Sequence, residues 1–371
     1  MYSLETPEEL EKAVGYIEQE RPHTNEIERL ALRCLQKTQE RKDLDMEYRV
    51  RLALISIHNG LHRPDLVISM FPWLLKISEE NRSRFDYLQI LWYYRWIIIF
   101  AKQYTSIPKS KLTELLTDFE NRCREEGVGA KIVHQSKFGF YTETGELELA
   151  EKELEYYETT DFLILTGCRD CRKLFTKTHL INLGKYEEVL ELLDPVLRQQ
   201  VTCHLNERYG YHIAMLATMM LGRWEEAEIY AVKSSREIDL TIGMLYVASS
   251  HLIYYGITAQ FSIGREVFEK QFPFVLKPVS DLPKLEFLIG AQVYFKRLQR
   301  SGRTTIQLSV PEHPELHPEN EVYQVAELLN FIKKEIDRIA TAFDHRNENN
   351  YYKEFVAEMA RRYEQVEQPQ N

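Results

Sequence analysis

Gly184-Lys185-Tyr186-Glu187-Glu188-Val189 and Gly222-Arg223-Trp224-Glu225-Glu226-Ala227 are two copies of one pattern, and they decide the fold. In each, a glycine follows an apolar run, an aromatic stands two residues later, and paired acids open a second apolar run. Glycine adopts the left-handed backbone that ends a helix without the penalty a β-carbon brings. Glutamates in the first turn of the next helix face the positive end of its dipole. The stretch from Gly167 to Gly256 therefore reads as antiparallel helical hairpins. A hairpin of this size cannot bury its apolar faces alone, so the copies must stack, which predicts an all-α solenoid.

Working outward, Gly145-Glu146-Leu147-Glu148-Leu149-Ala150 follows the same grammar after a helix beginning near Gly127, and Gly256 marks a weaker later copy. These glycines, at 145, 184, 222 and 256, stand 39, 38 and 34 residues apart. Five positions after each come Ala150, Val189, Ala227 and Phe261, of which the last is too large for close helix approach. Trp224 should wedge between the helices of its hairpin, and Pro195 should kink or shorten its helix. Toward the N-terminus the expected helices run over 7–20, with a Thr6/Glu9 capping box, 25–42, 46–60 and from Pro64 onward. The run Tyr87 to Ala101 then pairs with 109–126. Toward the C-terminus come a helix over 283–300, an extended piece over 304–310, and a loop holding Pro311, Pro314 and Pro318. An amphipathic helix from Val322 to Phe343 should cap the array. Residues 344–350 close that helix, a last one covers 351–364, and 366–371 form a disordered tail. The chain divides into a diverged helical region (1–80), the hairpin repeats (81–272) and C-terminal repeat and capping helices (273–365).

With 371 residues, 44% of them apolar, there is ample material for a packed interior. A net charge of -10 repels a phosphate backbone, so nucleic acid is not expected as a partner. The start of the chain lacks the basic and apolar stretches of a secretory signal. The greasiest run, Tyr87 to Ala101, is broken by Arg95 and is shorter than the roughly 20 residues that span a bilayer, so no membrane segment is expected. Five cysteines are too few for a disulfide framework. A cytoplasmic location fits.

On the residues quoted, the chain resembles the tetratricopeptide-repeat superfamily, whose units are 34 residues long. From about Gly127 to Asn350 it is similar to a mostly uncharacterised group of bacterial proteins of that type. In that group a Cys-x-x-Cys precedes the Leu-Gly-Arg-acid-acid-Ala hairpin, a further cysteine opens the next hairpin, and Phe-Asp-x-Arg-Asn ends a late helix. Here those are Cys168 and Cys171, Cys203, and Phe343 to Asn347. The resemblance implies a right-handed superhelix with a concave inner face.

If that geometry holds, residues ten and six before each glycine point into the groove. They are Gln135 and Gly139, Leu174 and Thr178, His212 and Leu216, and Tyr246 and Ser250. Gln292 and Lys296 continue the series before Gly302, and Tyr209 lies one turn before His212. Tyr209, His212, Tyr246, Ser250, Gln292 and Lys296 are the candidate peptide-binding residues, since ring faces and amides suit an extended or helical peptide. The alternative is that these positions only pack repeats together. The clamp of lysines and asparagines that some relatives use on C-terminal carboxylates is missing.

Cys168 and Cys171 have the spacing of half a zinc site, and stacking of repeats could bring Cys203, with His204 or His179, beside them to complete a structural site pinning two repeats. The same residues also read as small, half-buried packing residues or as a redox pair. Asp344, Arg346, Asn347 and Asn350 read first as a helix cap and second as a ligand site. No phosphate loop, nucleophile elbow, dinucleotide fingerprint or His-Glu-x-x-His appears, so no catalytic residue is assigned and no cofactor is expected beyond the zinc. The functional expectation is a non-catalytic scaffold that binds a protein or peptide in its concave face. The alternatives are a peptide-responsive bacterial regulator acting on another protein, and a zinc-stabilised adaptor.

Overall fold

Thr6 opens the first helix as the sequence requires, in the computed structural model that describes residues 4–19, 24–160, 165, 174–200, 204–240, 244–277 and 280–367. Its hydroxyl accepts from the Glu9 N–H at 3.2 Å, and the Glu9 carboxylate accepts in return from the Thr6 N–H at 3.1 Å. The described residues form seventeen helices and one small antiparallel sheet. The helices are α1 (Pro7–Gln19), α2 (Asn25–Arg41), α3 (Leu44–Gly60), α4 (Pro64–Glu80), α5 (Tyr87–Ala101), α6 (Lys109–Glu125), α7 (Ala130–Thr144) and α8 (Leu147–Thr159). They continue as α9 (Lys177–Asn182), α10 (Tyr186–Leu197), α11 (His204–Met220), α12 (Trp224–Leu240), α13 (Leu245–Ile257), α14 (Phe261–Val275), α15 (Asp281–Arg300), α16 (Val325–Asn347) and α17 (Tyr351–Gln365). Strands β1 (Thr305–Gln307) and β2 (Val322–Gln324) pair with Ile306 opposite Tyr323. The fold is therefore all-α, and α16 begins three residues later than the amphipathic pattern implied because Val322–Gln324 belongs to a strand.

Gly145, Gly184 and Gly222 hold left-handed φ angles of 80°, 77° and 72°. After each, the next N–H reaches back to a carbonyl five residues earlier: Glu146 to Tyr141, Lys185 to Leu180, Arg223 to Thr218, at 2.8 to 3.0 Å. This satisfies carbonyls that the end of a helix otherwise leaves without a donor. The fourth cap is not Gly256. Ala259 takes the left-handed position (φ 55°), and the Gln260 N–H bonds the Tyr255 carbonyl at 2.9 Å.

Gly256 instead lies inside α13, where an added Cβ would stand 2.9 Å from the Tyr294 Cα of α15, so it is small for the sake of a helix crossing. Counting from Ala259, the fifth residue onward is Gly264 and not Phe261. Like Ala150, Val189 and Ala227 it is buried, and a Cβ there would meet the Tyr294 ring at 2.4 Å. The rule of a compact fifth residue thus holds in all four hairpins, at spacings of 39, 38 and 37 residues. Pro195 lies inside α10, two residues from its end, and the helix continues past it to Leu197. Trp224 is half-buried and packs against the main core, which includes Met215, Met219, Ala227 and Ala231 of its own hairpin.

Consecutive helices pack on one another from α1 to α8 and again from α9 to α17, and a second set of contacts joins alternate ones: α1 to α3, α5 to α7, and α9 to α11 to α13 to α15 to α17. Buried apolar side chains follow the chain in four clusters, and shared residues link neighbouring clusters: Met70 between the first two, Ile181 and Tyr230 between the last two. The last cluster runs from Met215 to Tyr363, so α16 and α17 share a core with α11 to α15.

That C-terminal hairpin does more than close an end. Arg346 donates to the carbonyls of Lys102 and Tyr104 at 2.7 and 3.0 Å, Asn349 to the Thr144 carbonyl at 2.7 Å, and Arg362 to the Asn182 carbonyl at 2.8 Å. It therefore returns to turns far earlier in the sequence. No described helix is long and apolar enough to cross a membrane.

Candidate functional site

Helices α11, α13 and α15 lie side by side, and almost every residue of α13 is buried between its neighbours. Close approach of α13 and α15 rests on small residues. A Cβ on Gly290 would lie 2.6 Å from the Ser249 carbonyl oxygen, and the Ser249 hydroxyl donates to the Glu286 carbonyl at 2.6 Å. Between α11 and α13, the His212 Nδ1 and Ser250 Oγ are 3.0 Å apart, and the Tyr246 ring meets the imidazole edge-on at 5.7 Å. His212 and Ser250 are only 6% and 4% exposed. Burial pushes the His212 pKa down to about 3, so the ring is neutral at physiological pH. His251, whose Nε2 lies 3.0 Å from Ser234 Oγ, is lowered to about 3 for the same reason.

A second polar group gathers where α5 ends, α7 ends, α15 begins and the C-terminal hairpin arrives. Lys102, almost fully buried, pairs with Glu143 at 2.7 Å and donates to the Gly139 carbonyl at 3.0 Å. Asp281 accepts from the Thr105 N–H and hydroxyl at 2.8 and 2.7 Å, while the Asp281 N–H donates to the Gln103 carbonyl at 2.9 Å. The Tyr352 hydroxyl donates to the Glu143 carbonyl at 2.9 Å. Glu286, one turn into α15, keeps part of its surface, yet its surroundings desolvate it and Glu143 adds like charge. Together they push its pKa up to about 8. A carboxyl that is largely protonated at neutral pH donates as well as accepts a hydrogen bond.

Among the candidate groove residues, His212, Tyr246 and Ser250 come together, but His212 Nδ1 and Ser250 Oγ engage each other, and the Ser250 hydroxyl also reaches the Tyr246 carbonyl at 3.3 Å. Gln292 is half-buried on α15, and Lys296 pairs with Glu364 of α17 at 2.7 Å. Gly139 receives Lys102, Leu174 and Leu216 are buried, and Thr178 is exposed. Cys168, Cys171, Cys203 and the side chains of His204 and Tyr209 lie outside the described residues. His179, the other candidate fourth ligand, is buried edge-on to Phe138 at 5.2 Å, and desolvation lowers its pKa. Among the described residues no three His, Cys, Asp or Glu side chains gather as a metal site.

The run from Asp344 to Asn350 caps helices, as its first reading had it. The Asp344 carboxylate accepts from the Tyr352 and Lys353 N–H groups at 2.7 and 3.2 Å, and the left-handed residue is Glu348 rather than an asparagine. Sequence reasoning missed Lys102, Glu143 and Glu286. Glu286 stands within a largely apolar helix, which is a signal, but its neighbour Glu143 is over a hundred residues away. Compared with known proteins, the chain matches no family model, no curated protein and no solved structure.

Proposed function

We propose that this protein is a non-catalytic scaffold of the tetratricopeptide type, in which the odd-numbered helices line the inner side of a stack of hairpins and receive a helical peptide or protein segment. Four hairpins with the same left-handed cap, the same compact fifth residue and nearly constant spacing support the stack. Contacts that run from α9 through α11, α13 and α15 support a common inner row. In such a row a guest meets backbone-spaced polar groups set in apolar walls, which suits an amphipathic helix.

One observation carries the reading. Lys296, an inner-face position by repeat alignment, is engaged by a helix of the chain itself: α17 packs on α15, with Glu364 on Lys296 and Arg297 donating to the carbonyls of Tyr363 and Val366 at 2.8 and 2.6 Å. As the next odd-numbered helix, α17 extends the inner row in this reading, and its packing on α15 supports a face that accepts a helix.

The test is a display of helical peptides against the wild type and the Tyr246→Ala/Gln292→Ala variant. Peptides captured by the wild type should bind the variant at least about tenfold more weakly, a loss of about 1.4 kcal/mol. Equal capture by a variant with unchanged helix content refutes the inner row as the binding face. A second reading, a peptide-responsive regulator, is favoured by the long reach of Arg346 to the end of α5. An incoming peptide that displaces the C-terminal hairpin would release that contact, and Arg346→Gln should then bind such peptides more tightly.

A further inference from the structure

We propose that a cleft between the start of α14, the end of α15 and β1 binds a small organic anion through an oxyanion, either a phosphate monoester or a carboxylate. The site lies apart from the inner row and does not depend on the scaffold reading. Its cavity is about 300 Å³, the lower end of the range that small-molecule sites occupy.

Two guanidinium groups line it, those of Arg265 and Arg303. Neither has a carboxylate within ion-pair distance among the described residues, and the Arg265 Nε is buried with no acceptor. Glu269, one turn after Arg265, is committed elsewhere: it accepts from the Ser309 N–H at 2.8 Å. Arg303 lies over the Phe261 ring at 5.1 Å, which orients its planar fork.

The helix behind these arginines lacks the feature its counterparts share. Counting from the left-handed residue, the third position is Glu148 in α8, and the third and fourth are Glu187 and Glu188 in α10 and Glu225 and Glu226 in α12. In α14 they are Ser262 and Ile263, the first turn carries no acid, and no side chain caps it. The unpaired N–H groups of that fifteen-residue helix therefore add positive potential to two unpaired cations. Two unpaired guanidinium groups beside a helix N-terminus concentrate positive potential at one spot, and an oxyanion supplies the counter-charge. The hydroxyls of Ser262 and Thr305 add donors at the rim. The apolar floor, Phe261 and Ile306 among it, accepts the organic part.

Calorimetric titration with phenyl phosphate, benzoate and inorganic phosphate at moderate salt tests this. The wild type should bind phenyl phosphate or benzoate saturably, and whichever binds more tightly identifies the headgroup. Arg265→Gln and Arg303→Gln should each weaken binding about tenfold or more, whereas Arg124→Gln, far from the cleft, should not. Arg303 is exposed, so its variant keeps the test valid if Arg265→Gln fails to fold. No saturable binding of either aromatic probe up to about 10 mM overturns the proposal, as does equal binding by the wild type and the Arg303→Gln variant. Inorganic phosphate binding as tightly as phenyl phosphate overturns the role of the apolar floor.

Discussion

Alanine at two glycines that share a backbone conformation separates the cost of that conformation from the docking of the C-terminal hairpin. Gly145 and Gly222 have φ angles of 80° and 72° and end helices with the same bonding pattern. A Cβ at Gly222 would meet nothing within 4 Å, so Gly222→Ala carries only the left-handed penalty, about 1–2 kcal/mol. Ala259, which occupies that conformation natively, shows that the fold accepts the residue type there. A Cβ at Gly145 would stand 2.4 Å from Tyr351 Cβ, the first residue of α17. Both atoms are fixed to main chain, so no side-chain rotation relieves the clash, and either the turn or the hairpin must shift. Overpacking of this kind adds about 1–3 kcal/mol, which puts Gly145→Ala at about 2–5 kcal/mol.

Gly184→Ala belongs between them, because the atom its Cβ would approach, at 3.1 Å, is the movable Arg362 Nη1. Urea unfolding followed by circular dichroism gives the three costs, and amide exchange locates the loss. In Gly145→Ala, protection should fall selectively over α16 and α17. Costs for Gly145→Ala and Gly222→Ala that agree within about 0.5 kcal/mol would show that the hairpin does not rest on that turn.

The same docking is addressed from the other side by Arg346→Gln, which removes charge-assisted bonds to the carbonyls of Lys102 and Tyr104. It should cost about 2–4 kcal/mol and speed amide exchange in α16 and α17 with helix content kept, while exchange rising equally in all helices would refute a local latch. Glu286 predicts a pH dependence. Its folded pKa of about 8 lies above its ordinary value of 4.5, so the folded state holds the extra proton between those values. Its contribution is therefore fully present below pH about 4.5 and fades at up to about 1.4 kcal/mol per pH unit as pH rises through about 8. Glu286→Gln should remove that slope and exceed the wild type in stability above pH about 8. A difference between the two urea midpoints that stays flat over this window would refute the shift.

What the sequence made legible was local. Helix limits followed from caps and periodicity, because Thr6, Pro64, Gly145, Gly184 and Gly222 each impose a backbone state on their own few residues. The misassigned cap shows where that reasoning fails. Glycine at 256 and alanine at 259 invert the usual assignment, since a glycine also serves wherever two backbones must touch, and only the position of Tyr294, from the next hairpin, tells the two uses apart. Ala259 tolerates the left-handed region at a cost of about 1–2 kcal/mol, which the core around Gly264 and Tyr294 offsets.

The candidate groove was legible as a list of positions and not as an environment. His212 and Ser250 face one another because α11 and α13 lie alongside, and that closeness turns two supposed ligand contacts into one buried hydrogen bond. Lys102, Glu143 and Glu286 went unseen because their chemistry arises only when the end of α5, the end of α7 and the start of α15 meet. No periodicity records a contact of that range. The C-terminal hairpin adds to the direct contacts there: Arg346 binds the end of α5, Asn349 and Tyr352 bind the end of α7, and Glu364 binds Lys296 of α15. Loosening that one element should therefore change both the polar junction and access to the inner row. Glu286, mostly protonated at neutral pH while its surroundings stay closed, then becomes the group whose ionisation should respond when the hairpin loosens.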